Sequence, residues 1–284
     1  MTFAAMNDNL LTMVQKSLER SLPSVENQYP ETANINYLSI LDYLKNYGNL
    51  AYCDPDKAST PEERTHLLEV KQKGQDAVGE LKKIVALCKK KFGLGECPLI
   101  KWLDGSNTKT RGYLWAQMKY SDRKDNPVSI SVAVEKKDAT ARYVVKLEIK
   151  VEAANDTKIE QYHSHLDLPL NHGAGLTYMA CDAGTGEWKL RTESQEQLRD
   201  ELNAGKLKRV QIIKYIEQQP GQTNEYFEQA ILAAVEAILP YYNHVVGKED
   251  STPKVEELNE MQLSHAAVEL NKNLILYGLS LIHI

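Results

Sequence analysis

Two stretches of this chain alternate large apolar residues with polar or small ones: Ser129-Ile130-Ser131-Val132-Ala133-Val134 and Val145-Lys146-Leu147-Glu148-Ile149-Lys150-Val151. Successive side chains of a β-strand point to opposite faces, so strict alternation describes strands with one buried and one wet face. A parallel sheet sandwiched between helices would instead read as continuous apolar runs. Lys136-Lys137-Asp138 separates the two as a turn signal. Upstream, residues 99–103 and 112–120 are further short runs rich in Leu, Ile, Tyr and Trp. Asp104-Gly105-Ser106-Asn107 and the polar stretch 121–127 divide them. The pattern predicts an antiparallel β-meander.

Helical spacing surrounds it. Leu10, Leu11, Val14 and Leu18 suggest a weakly amphipathic helix over residues 3–21, and a second segment covers 35–47, ending near Gly48. Ser59-Thr60-Pro61-Glu62-Glu63 is a strong start signal: a hydroxyl cap, proline in the first turn and acids at the positive end of the helix dipole. That helix is expected to run to about Phe92, where Gly93 and Gly95 stop it. After the meander, a short helix is expected at 157–165, a strand at 176–181 and a helix at 194–202. A strand at 210–216 and a helix at 224–239 follow, closed by Pro240-Tyr241-Tyr242. Residues 246–253 read as a linker, 255–270 as an amphipathic helix, and Leu274-Ile275-Leu276-Tyr277 as a short buried strand before Gly278. The expected fold class is α+β, with N-terminal helices followed by an antiparallel β-meander flanked by helices. The expected division is a helical segment 1–92, an α+β domain 93–245, a linker and helix 246–270, and the start of a further domain at 271–278. Residues 279–284, Leu-Ser-Leu-Ile-His-Ile, resemble the translation of a transposase sequencing adaptor and read as an appended artefact.

The net charge of −5 excludes a general polyanion binder, so contact with nucleic acid would need a local basic patch. Cys53, Cys88, Cys97 and Cys181 form no paired motif, and no apolar run reaches eighteen residues. A cytoplasmic, membrane-free protein with reduced thiols is expected.

Three chemistries are conceivable. His163, His165, His172 and Cys181 crowd into nineteen positions, yet none of the usual zinc spacings is present, and no metal site or catalytic residue is assigned. Glu148-Ile149-Lys150, with Glu135 and Asp138 upstream, has the form of a nuclease carboxylate–lysine pair, and a metal-dependent hydrolase using Glu148 and Lys150 is one alternative. Nucleic-acid contact has the richest set. Lys109, Arg111, Lys119, Arg123 and Lys124 border a strand carrying Tyr113, Trp115 and Tyr120, with Trp102 nearby and a second cluster at Lys206, Lys208 and Arg209. Lysine and arginine would neutralise phosphates while an aromatic ring stacks on a base. Fifteen tyrosines against three tryptophans and three phenylalanines suit such a surface, although half-buried strands use tyrosine just as readily. A protein–protein interaction module built on residues 1–92, without a DNA role, is the other alternative.

Two segments resemble a known family. Asn271-Lys272-Asn273-Leu274-Ile275-Leu276-Tyr277-Gly278 looks like the entry to the AAA+ module of McrB-like restriction NTPases, with Gly278 as the first glycine of the phosphate loop. Pro98-Leu99-Ile100-Lys101-Trp102, Thr110-Arg111-Gly112-Tyr113-Leu114-Trp115 and Ser129-Ile130-Ser131-Val132 resemble the domain that precedes such motors. Trp102 departs from that pattern, in which tryptophan adjoins the proline. The resemblance implies that residues 1–245 recognise DNA, with modified cytosine as one possible mark. It implies that the rest of a longer protein would bind GTP or ATP with Mg²⁺, form a ring and work with an McrC-like nuclease subunit. The remainder of the phosphate loop is missing after Gly278, so no cofactor is expected in this chain itself.

Overall fold

The computed structural model describes residues 34–95, 99–150 and 159–247. The chain divides into two compact units, residues 1–35 and 36–284, and everything below concerns the second. The expected helix at 3–21, the linker beyond Gly247, the helix at 255–270 and the strand with Gly278 lie outside the described residues.

The order of elements is α1 (Tyr37–Tyr47), α2 (Pro61–Phe92), β1 (Tyr113–Met118), β2 (Val128–Lys137), β3 (Thr140–Ile149), α3 (Ile159–Tyr162), β4 (Thr177–Asp182), β5 (Trp188–Arg191), α4 (Gln195–Asn203), β6 (Leu207–Glu217) and α5 (Asn224–Val246). The strands form one six-stranded sheet ordered β1-β2-β3-β6-β4-β5, antiparallel at every pairing. The fold class is therefore α+β. The meander is real through β3. There β6 arrives from later in the chain to pair with β3, and β4 and β5 extend the sheet beyond it.

Local chemistry explains the elements. Thr60 accepts the Glu63 N–H at 3.1 Å to start α2, and Gly93 ends it in the left-handed region at φ 70°. Lys137 pairs with Thr140, which leaves a two-residue hairpin loop, and Asp138 takes the positive φ (52°) that such a turn demands. Leu114, Ala116 and Met118 align with Val134, Val132 and Ile130, which align in turn with Tyr143, Val145 and Leu147. All nine are buried. The helices cover this face. The Tyr37 ring meets Tyr143 edge-on at 6.1 Å, and Phe227 of α5 lies 5.5 Å from the same ring. The Tyr143 hydroxyl donates to the Tyr37 carbonyl at 2.9 Å, so the buried O–H is satisfied. Asn224 at the start of α5 accepts the Leu38 N–H at 3.0 Å and ties the two helices together.

Four expectations change. Residues 99–103 form no strand: Leu103 bridges back to Thr110 around a loop pinned by Asp104, whose carboxylate accepts from Ser106 and Thr108. The Trp102 ring packs flat on α2, where a Cβ at Gly74 would come within 2.6 Å of it. The expected helix at 157–165 is a single turn followed by a 3₁₀ turn, Ser164–Asp167. Strand β5 was not anticipated. Finally, α5 does not stop at Pro240 but continues to Val246. Proline inside a helix costs about 3 kcal/mol, and tertiary contacts of the last turns offset it. The Tyr241 hydroxyl donates to the Pro169 carbonyl at 2.8 Å and accepts the Asn171 N–H at 2.8 Å, while Tyr242 packs on Tyr120. The same compact unit holds α1 and α2 together with the sheet.

Candidate functional site

The other face of the sheet is built differently. By register it carries Tyr113, Trp115 and Gln117 on β1, Ser129, Ser131, Ala133, Glu135 and Lys137 on β2, and Arg142, Val144, Lys146 and Glu148 on β3. Tyr215, Ile213, Gln211 and Arg209 continue it on β6, then Thr177, Met179 and Cys181 on β4, and Trp188 and Leu190 on β5. A polar seam runs along β2: Gln117 lies 3.5 Å from the Ser129 hydroxyl, Ser131 donates to Glu148, and Lys150 donates to Gln117 at 2.6 Å.

At the β1 edge, Arg111, Tyr113 and Trp115 form one cluster. The Arg111 guanidinium lies 5.5 Å from the Tyr113 ring centre and 5.6 Å from that of Trp115, and the two rings are 5.8 Å apart. Two contacts hold this arginine: its backbone N–H donates to the Trp102 carbonyl at 2.9 Å and its Nε to the Leu103 carbonyl at 2.7 Å. The loop thus aims the guanidinium over the sheet. Gly112 is needed beside it, because a Cβ there would lie 2.5 Å from the Asn49 side chain. Tyr113 is 49% exposed, so its ring is open to a partner.

Lys119 continues this face at the other end of β1. Its ammonium donates to the Lys124 carbonyl at 2.9 Å and to the Asn126 carbonyl. Burial holds its pKa below the usual lysine range, and repulsion from Lys150 adds to the effect. Lys109 is exposed, on the loop before β1; its main chain bridges to Ala51. Lys124 is exposed and Arg123 half-buried, 3.8 Å from the Asp122 carboxylate, in the turn after β1. Lys109 therefore lies roughly 20 Å, the length of the strand, from Arg123 and Lys124.

Tyr120 is a correction. It falls on the helix side, 7% exposed, with its hydroxyl donating to Asn243 Oδ1 at 2.9 Å and its ring 5.4 Å from Tyr242. It is a core residue and offers no stacking face. Trp102 is likewise committed to the loop, edge-on to Tyr52 at 5.0 Å.

The carboxylate pairing expected for a hydrolase does not assemble. Glu135 pairs with Arg142 and Glu148 with Ser129, six residues apart along β3 and so roughly 20 Å distant; Asp138 is farther still, in the hairpin turn. Glu135 is held instead by Arg142 at 2.6 Å. Among the described residues no group of three His, Cys, Asp or Glu side chains could hold a metal ion. His163 Nε2 accepts the Val210 N–H at 3.2 Å, a structural role. His165 is fully buried beside it, ring centres 5.7 Å apart, and burial followed by the neighbouring His163 keeps its pKa well below the normal imidazole value. The Cys181 thiol faces the Gly186 carbonyl at 3.6 Å, on the side of the sheet away from Tyr178.

The charge balance of this second face differs from that of the chain. Arg111, Lys119, Lys137, Arg142, Lys146, Lys150 and Arg209 oppose Glu135, Glu148 and Glu217: seven cations against three carboxylates, formally +4 where the whole chain is −5. The Trp188–Arg209 pair on this face escaped sequence reading, because the contact joins β5 to β6 across an intervening strand. Comparison with protein-family models, with curated proteins and with solved structures returns no match.

Proposed function

We propose that the second face of the sheet recognises nucleic acid, and that residues 36–247 form a DNA-recognition unit of the kind the McrB-like resemblance implies. The observation that carries this reading is the Arg111–Tyr113–Trp115 cluster. An arginine fixed over two aromatic rings sits at the edge of a face with formal charge +4, inside a chain of charge −5. Aromatic rings stack on bases regardless of sequence, and cations along the same surface track the phosphates. Lys146, on the same face, has no carboxylate partner among the described residues and supports phosphate contact. GTP or ATP hydrolysis, ring assembly and an McrC-like nuclease partner belong to the same reading of a longer protein, as does modified cytosine as a target.

The test is fluorescence anisotropy of labelled oligonucleotides with the 284-residue chain at about 50 and 200 mM salt. The reading expects affinity to fall steeply with salt and Trp115→Ala to weaken binding about tenfold. Binding that ignores both salt and Trp115 would contradict it.

A further inference from the structure

We infer that the ligand of this face is an unpaired strand of nucleic acid that crosses the sheet diagonally from β1 to β5, with Trp188 as its second stacking platform. This rests on the nucleic-acid reading above and adds the form of the ligand. Of the three tryptophans, Trp102 is used in the loop, and the other two face the same side of the sheet. Each lies under an arginine: Arg111 is 5.6 Å from the Trp115 ring centre, and Arg209 is 5.8 Å from that of Trp188. The second pair forms because Trp188, Cys181 and Arg209 stand in one row across three strands, and cysteine is small enough for the guanidinium to reach over it. Trp188 is 40% exposed and Leu190 beside it 55%.

Register gives the path between the platforms. Trp115 aligns through Ala133 and Val144 with Tyr215, whereas Trp188 aligns through Cys181 with Arg209. The two rings are thus five strand spacings apart across the sheet and six residues apart along β6, a diagonal of roughly 30 Å. Lys146 and Gln211 lie on that diagonal. Lys146 is without a carboxylate partner among the described residues, and Gln211, 2% exposed, has a side-chain carbonyl that accepts no hydrogen bond. Lys146 supplies a cation for phosphate, whereas Gln211 is buried and does not itself meet the ligand.

Twist decides between single strand and duplex. Adjacent strands rotate by about 20–25°, so five steps turn the face normal through roughly 100° between β1 and β5. A duplex, stiff over about 150 base pairs, cannot present bases to two platforms so oriented. A flexible strand can wind over the saddle. Even at the compact duplex spacing of about 3.4 Å per nucleotide, about nine nucleotides cover the diagonal, so a 12-mer is long enough to reach both platforms.

The experiment measures binding of single-stranded oligonucleotides of about 4 and 12 nucleotides, and of a 12-base-pair duplex, to the 284-residue chain and its Trp115→Ala and Trp188→Ala variants. Circular dichroism and thermal melting check that each variant is folded. The expected result is that Trp188→Ala weakens the 12-mer about tenfold and leaves the 4-mer unchanged, Trp115→Ala weakens both, and the duplex binds less tightly than the 12-mer. If Trp188→Ala leaves 12-mer affinity unchanged while Trp115→Ala lowers it, or if the duplex binds best, the crossing path is wrong and the nucleic-acid reading survives. If neither variant changes binding of any oligonucleotide, both fall.

Discussion

The two faces of this sheet are made from the same six strands and differ in what they carry. On one, Leu114, Val132, Tyr143, Val145 and Ile212 are sealed under α1 and α5, and the Tyr143 hydroxyl is satisfied there by the Tyr37 carbonyl. On the other, serines, lysines and arginines alternate with them; Tyr113, Trp115 and Trp188 lie on the two edge strands, and Tyr215 on the interior strand β6 lies under Arg142 at 3.5 Å. The first face carries stability, because burying a large apolar side chain is worth about 1.5–3 kcal/mol. The second carries less of it: its open ion pairs, such as Arg142 with Glu217, contribute about 0–1 kcal/mol each, although Ser129, Ser131 and Gln117 on this face are buried.

Substitutions should separate the faces by size of effect. Phe227→Ala removes a fully buried ring against Tyr143 and is expected to cost about 3–5 kcal/mol in denaturant unfolding; a loss below 1 kcal/mol would mean that the helix layer is not the main source of stability. Pro240→Ala, at an exposed position inside α5, should stabilise by up to about 3 kcal/mol, since the missing N–H returns while the Tyr241 and Tyr242 contacts stay. Calorimetry that finds a lower melting temperature would contradict this.

Acid should attack the helix-packed side through His165. Its folded pKa is depressed below the unfolded value of 6.5, so the folded protein resists protonation that the unfolded chain accepts. Stability is unaffected above pH 6.5 and falls below it, by about 1.4 kcal/mol per pH unit for one proton, until the folded pKa is reached. A His165→Leu variant should lose this slope; an unchanged slope would place the acid sensitivity elsewhere. The smallest effect on stability is expected on the second face, where Trp188→Ala on the short edge strand should cost under about 1 kcal/mol in the same unfolding measurement.

Alternation made the central strands legible, because a period of two assigns a face to every residue of β2 and β3. The same rule joins Tyr113 and Trp115 and places Tyr120, an odd number of residues away, on the opposite side. Tyr120 is therefore separated by parity from the cluster that Tyr113 and Trp115 form. Strand β5 was missed because Trp188-Lys189-Leu190-Arg191 is only four residues long and owes its conformation to pairing with β4. The end of α5 was misjudged because local proline chemistry was weighed without the contacts of Tyr241 and Tyr242, which exist only in the folded chain. Arg209 over Trp188 depends on strand order, and strand order is not written in any local pattern.

On the proposed reading the second face, and not the helix-covered one, meets a nucleic acid. The three indole N–H signals in a proton–nitrogen correlation spectrum test it most directly. On addition of a 12-nucleotide single strand, the Trp115 and Trp188 signals should shift together while that of Trp102, packed on Gly74, stays in place. A shift confined to Trp102, or a bound oligonucleotide that leaves Trp115 unmoved, would contradict it.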